Sequence, residues 1–558
     1  MSISVTKGFY THAHGFSILA QGCYHRVVRS LQLIVKSVLI MLSTQLFASP
    51  VDVEKQSIRI AMLQEPPSLD STRTTDLVSL FVLGHINEGL IRYGRRGKLV
   101  TGVAENWEVF PDRIEFALRA DARWEDGSPV TAHDFVFAWR LVVDPAHASQ
   151  FAAIMHPLKN ALAIADGKMS PTELGVRAES DRKLIVELER PCGYCLGMMP
   201  HAAFFPVKEA FHRQAGAAYA AQADQLLSNG PFKLTEWVHE ASLKFTKNTE
   251  YWNAEATHLN EIHAAYITGD NRTRLNLFLD NQIALARLGA ETVKEAVDKG
   301  QRVRTFLSGG ISYIWFNHRE GLPTTNRSLR KAIQSVFDAD EYVNQVIAIP
   351  GYRPTRTLLP SYFDGMEKSF TEEFPPPEIN HDPEYARAML VEAKAQMGEI
   401  PRLRLLTVTS TTGVKAAEYV QGKLKQSLGL ELLVDQQSFK QYLTKARAGE
   451  FDLVLSSWYP DYDDFLTYAD LLGSHNPNNR GRYFNDEYDR WLKILTESMD
   501  KPTRLKAMAE MQRIVVEEAP VLPNAETGSA YLVHPKLRGV QRRVLGQDPD
   551  YTTARVIP

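Results

Sequence analysis

The sequence predicts an α/β protein of two or three domains. The chain has 558 residues, of which 44% are hydrophobic, too many for one compact core. From residue 382 helical and strand patterns alternate: DPEYARAMLVEAKAQ, RLRLLTV, VKAAEYVQGKLKQSLG, LELLVDQQ, SFKQYLTKARAG and FDLVLSS. Apolar strands in that order read as a parallel sheet covered on both faces.

Earlier elements follow from local pattern. SIRIAML (57–63) is a strand, apolar at alternate positions, and EPPSLDS (65–71) breaks it with two prolines. LVSLFVLGHINEGLI (77–91) has helical spacing, with Gly89 near its end. WEVF and RIEFALR form a hairpin-like pair across a Pro-Asp turn. SPVTAHDFVFAWRLV reads as a helix, with Thr131 as N-cap and Asp134 three residues on in a capping box. SDRKLIVELER (180–190) is another strand, and NGPFKLTEWVHEASLKFTKNTEYW (229–252) is a hairpin followed by an aromatic turn. Residues 270–300 alternate strand and helix signals, and ISYIWFNHR (311–319) is a strand leading to a helix at 326–338. Lobe boundaries are expected near 89, 212, 310 and 525.

Composition excludes some functions. The formal net charge of −3 and the lack of a basic stripe argue against nucleic acid as partner. Residues 1–48 hold Lys7, Arg26, Arg29 and Lys36 and no acidic residue, so the rest of the chain carries 59 basic and 66 acidic residues. A basic patch, a short apolar run and the small residue Ala48 form a secretory leader. A membrane-tethered helix and lipid attachment at Cys23 are the alternatives. Cys192 and Cys195 form a C-x-x-C in PCGYCLG. No second such pair exists to complete a zinc site, so an oxidised compartment leaves a small structural disulfide or two free thiols.

The stretch SWYPDYDD (457–464) lies beyond the end of the apolar strand FDLVLSS. Ligands of open parallel sheets bind outside the carboxyl ends of the strands. The three aspartates lack the turn glycine and terminal glutamate of a calcium loop, so no metal is expected. Asp463 or Asp464 can cap a helix starting at Phe465. Asp461, after Pro460 and nearest the strand end, is the candidate for holding a ligand cation.

The chain from about 57 to 550 resembles the periplasmic oligopeptide- and dipeptide-binding proteins of ABC importers. The resemblance rests on RADARWEDGSPVTAHDFVFAWR (119–140) with AENW before it, and on NGPFKLTEW, NTEYWNA and NDEYD in order and spacing. It implies a two-lobed periplasmic-binding-protein fold with mixed sheets, a hinge and an additional subdomain on the first lobe. Residues 1–48 would be the leader, 49–88, 213–310 and 526–558 the first lobe, 89–212 the subdomain and 311–525 the second lobe. It also implies that Trp124, Asp126, Gly127, Asp134 and Trp139 are fold signature. Trp458 and Asp461 match the family's W-x-x-D, whose aspartate receives a peptide's α-ammonium. The backbones of Ser457–Tyr459 and of Thr75, Asp76 and Leu77 would sandwich an extended peptide by strand addition. Phe151, Trp315 and Phe439 fall at pocket-lining positions, with core packing as the alternative for each. The chain departs from the family at Leu455, where oligopeptide binders carry an arginine for the peptide carboxylate, and also at Phe151 and Tyr459. Arg480 and Arg482 are either solvated or acid-binding.

The implied function is capture of peptide by hinge closure and delivery to an inner-membrane ABC permease complex, by a periplasmic monomer without cofactor. The alternative is the same scaffold around a cell-wall peptide, metal chelate, opine or bile-like acid. An enzyme using Cys192 and Cys195 is the third reading; no H-E-x-x-H, G-x-S-x-G or P-loop supports one.

Overall fold

A computed structural model of the protein describes residues 49–74, 76–94, 97–149 and 151–558. The expected leader, Cys23 and Thr75 lie outside the described residues. Among the described residues no helix is long and apolar enough to cross a membrane.

Two mixed sheets carry the architecture. The first orders its strands Val51–Asp52, Ser57–Met62, Glu261–Ile267, Ser242–Lys247 and Phe232–Val238. Only Ser57–Met62 and Glu261–Ile267 pair in parallel. The second orders Leu285–Leu288, Val521–Val533, Arg304–Phe316, Leu453–Trp458, Leu403–Val408 and Leu432–Gln437, with Arg353–Pro354 also pairing Val521–Val533. Its last three strands are parallel and come from the βαβ run. The chain between the strands of the first sheet forms a separate four-stranded antiparallel sheet: Ala104–Val109, Arg113–Leu118, Lys183–Glu187 and Val176–Ser180.

The block at 119–140 is packing chemistry. Thr131 caps the helix Ala132–Val143 in a capping box with Asp134, whose carboxylate accepts from Thr131 N at 2.8 Å and Trp124 Nε1 at 3.4 Å. Trp124 and Trp139 are fully buried. Gly127, at φ +80°, makes the turn between them, a conformation that disfavours a Cβ.

The strands Arg304–Phe316 and Val521–Val533 are each 13 residues long. Their register breaks between Leu307, opposite Gly528, and Ile311, opposite Glu526. Ser308, Gly309 and Gly310 therefore bulge against Thr527, with Gly309 at φ +74° and Ser308 Oγ donating to Thr527 O at 3.0 Å. Such bulges bend a strand pair. The strand Leu285–Leu288, within the segment expected in the first lobe, joins the second sheet through Val521–Val533.

Cys192 and Cys195 form a disulfide and are both buried. The loop they close packs on the segment after the strand Leu453–Trp458: Tyr194 stacks on Tyr462 at 5.7 Å between ring centres. A cystine closing so short a loop removes little chain entropy. The double variant Cys192→Ala/Cys195→Ala is expected to fold and to lose about 2 kcal/mol, read from the urea midpoint.

Candidate functional site

The strand Leu453–Trp458 delivers the site. It is held between Arg304–Phe316 and Leu403–Val408, so the chain leaves the sheet at a fixed place. Thr467 pins the turn that follows. Its Oγ1 accepts from Asp461 N at 3.0 Å and from Trp458 Nε1 at 3.5 Å. Of the two expected caps, Asp464 does the capping. Its carboxylate accepts from Leu466 N at 2.9 Å at the head of Leu466–Ala469 and pairs with Arg504. Asp463 takes no part; burial, with Asp464 and Asp364 nearby, pushes its carboxyl up to about 6.

Asp461, like Asp463, has a carboxylate with no hydrogen-bond or ion-pair partner among the described residues, but Asp461 is the one of the two that is exposed. The protein packed around its side chain partly desolvates the carboxyl and pushes it up to about 6. A partly desolvated charge without a partner is unfavourable. It is also the arrangement that a ligand cation would relieve.

The other expected residues divide. Ser457 and Tyr459 are exposed beside Asp461 and Trp458 is half-buried. The Tyr459 ring lies against Gly310, where an added Cβ would meet it at 2.6 Å. Asp76 is committed elsewhere: its carboxylate caps the helix Leu77–Ile86, accepting from Val78 N at 3.1 Å and Ser79 N at 2.8 Å. Leu77 is exposed but already helical. In this segment the extended backbone ends at Asp76. Phe151 is half-buried, edge-on to His201 at 4.4 Å. Trp315 belongs to the largest core, at 2% exposure, edge-on to Tyr313. Of its two expected roles, core packing is the one observed. Phe439 is 67% exposed and stacks on Tyr442. Leu455 packs against a core cluster, so this strand presents no cation to an acid. Arg482 is exposed and Arg480 half-buried.

Sequence reasoning missed Thr467, Arg504 and Glu526. Glu526 is the one charged residue in the strand Val521–Val533 and is 4% exposed; a lone charge in an apolar strand was the available signal. A cavity of about 1080 Å³ lies behind the turn, bordered by Tyr93, Arg353, Tyr362, Asp364, Asp463 and Arg542. Among the described residues no group of three or more His, Cys, Asp or Glu could hold a metal ion.

Residues 98–480 match the family described as bacterial extracellular solute-binding proteins, family 5 Middle. The periplasmic murein peptide-binding protein MppA of Escherichia coli is 30% identical over 514 residues, 91% of this chain and 94% of that protein. The dipeptide-binding protein DppE of Bacillus subtilis is 29% identical over 486 residues, 86% of this chain and 89% of that protein. The crystal structure of the substrate-binding domain of an oligopeptide ABC transporter from Bacillus anthracis superposes with a TM-score of 0.75 at 29% identity, covering 90% of this chain and 99% of that one. The chain belongs to the family 5 extracellular solute-binding proteins, which are two-lobed receptors and not enzymes.

Because the Asp461 carboxyl is raised in the folded state, ionisation opposes folding above the unfolded value, and the penalty is complete once pH exceeds about 6. Asp461→Asn is therefore expected to raise the melting temperature of the ligand-free protein at pH 7.5. The gain should shrink as pH falls from 6 towards 4, measured by calorimetry at several pH values.

Proposed function

We propose that this receptor captures peptides and hands them to an inner-membrane ABC permease, working in the periplasm as a monomer. The observation that carries the reading is Asp461: a carboxylate reachable from the cleft, without a cation of its own, at the carboxyl end of a sheet strand. A peptide α-ammonium matches it in charge and hydrogen-bonding capacity. The relatives named as peptide, dipeptide and murein peptide binders support the same ligand class. Segments 49–88, 213–310 and 526–558 form the first lobe, 89–212 its subdomain and 311–525 the second lobe. They close about the bulge at Ser308–Gly310, the weakest point of the long ladder between them.

The exposed Ser457 and Tyr459 backbone offers main-chain pairing, which recognises a peptide without reading its side chains. Leu455 leaves the far end of the ligand without a fixed countercharge on this strand, so peptide length is set by space more than by a terminal carboxylate.

The test is native mass spectrometry of ligand-stripped, refolded protein against a pool of two- to six-residue peptides. Free-amine peptides are expected to be retained, and to be lost on N-acetylation or in Asp461→Ala; C-terminal amidation should change affinity little. A folded wild type that binds no peptide overturns the reading. Titrations of one retained peptide should also show affinity falling about tenfold per pH unit below about 6, where Asp461 takes up its proton.

A further inference from the structure

A second carboxylate, Glu526, stands near the Asp461 turn with only one of its oxygens engaged by protein among the described residues. Glu526 stands opposite Ile311, and Ile311 stands opposite Trp458 on its other side. Residues directly opposite in an antiparallel ladder share a face, so Glu526, Ile311 and Trp458 form one row on one face of the sheet. Neighbouring strands are about 4.8 Å apart, which puts Glu526 roughly 10 Å across the sheet from the tryptophan that begins the Asp461 turn.

Its surroundings fit a ligand contact better than a structural ion pair. One oxygen, Oε1, accepts from both Ser361 N and Ser361 Oγ at 3.2 Å. The other has no protein partner among the described residues. Arg353, opposite in register on an edge strand, is the nearby cation, but it is exposed and makes no ion pair with Glu526. The buried Tyr362 hydroxyl, next in sequence to Ser361, faces the Tyr468 hydroxyl. The Tyr468 side chain ties the row to the Asp461 turn. Its hydroxyl donates to Gly309 O in the bulge, and it lies within electrostatic reach of Tyr362, Glu526 and Asp461. Tyr459 closes the same edge: a Cβ on Gly310 would collide with Thr527 Oγ1 and meet the Tyr459 ring at 2.6 Å.

A glutamine would serve the Ser361 bonds as well as a glutamate does. What a glutamate adds is charge, and burying it without a cation is unfavourable. We propose that Glu526 receives the basic side chain of the ligand's first residue, so that the receptor favours peptides beginning with lysine, arginine or a similar diamino residue. Asp461 then takes the α-ammonium and Glu526 the side-chain cation of the same residue. The inference rests on the peptide reading above.

The test compares Lys-Ala-Ala with norleucine-Ala-Ala, equal in length but differing by the side-chain ammonium, by calorimetric titration of wild type and Glu526→Gln. The wild type is expected to bind the lysine peptide about tenfold tighter or more, as for a charge-assisted hydrogen bond in a partly dry site. In Glu526→Gln the ratio should fall to near one with the norleucine peptide unchanged. A wild-type ratio near one overturns the inference without recourse to any variant, and so does a variant that weakens both peptides equally. If the norleucine peptide binds and lysine gains nothing, this inference alone fails. If neither tripeptide nor any other peptide binds the folded protein, the peptide reading fails with it.

Discussion

The turn at residues 457–468 is built around an exposed carboxylate that no cation among the described residues answers. Desolvation by the surrounding protein moves the Asp461 carboxyl up to about 6. Nothing in the turn relieves the penalty. Thr467 holds the Asp461 backbone, not its side chain. The one arginine nearby, Arg504, is committed to Asp464, to Leu495 O and to Ser498 O. Arg504 thus satisfies the structural aspartate of the turn and leaves the other exposed to the cleft. Two acids three residues apart acquire different roles because one faces a helix and the other faces open space.

The rest of the fold keeps that turn in place while allowing the lobes to move. The turn is clamped on one side by the cystine loop and the residues after it, where Tyr194 stacks on Tyr462 and a Cβ on Gly197 would meet Asp463 O at 2.7 Å. On the sheet side, Leu453–Trp458 lies between two strands and cannot slip without turning its apolar face outward. In the long pair Arg304–Phe316 and Val521–Val533, two glycines and a register break interrupt the ladder. Rigid presentation of the carboxylate beside a compliant pair of strands is what closure around a ligand requires.

Much of this was legible in the sequence where contacts are local. The capping box of Thr131 and Asp134, the hairpins Ala104–Val109 with Arg113–Leu118 and Phe232–Val238 with Ser242–Lys247, and the alternation from 382 onward all appear close to their expected places. Each is fixed by periodicity, caps or a short turn. Strand partners far apart in the chain were not legible: nothing in LARL indicates that Leu285–Leu288 pairs with Val521–Val533. Side chains were least legible where one residue type serves two purposes. Asp76 and Asp461 both precede helical turns by a few residues, yet Asp76 caps its helix and Asp461 caps nothing. Trp315 and Trp458 both lie on the face of the second sheet that fills the largest core. Only the way the 479–482 loop covers Trp315 decides that it is sealed, since a Cβ on Gly481 would collide with its Nε1.

The balance of contacts also bears on how selective such a receptor is. Main-chain pairing and an amine contact are common to every peptide, so alone they discriminate poorly. Leu455 is turned into a core cluster, and the charge this sheet buries is Glu526, on the same face as Trp458. With Glu526 as the second charge contact proposed above, selectivity falls on the ligand's first side chain. A penalty for an unmatched buried charge is also a way of rejecting ligands, because a neutral first residue leaves Glu526 as unsatisfied as it is in the empty protein.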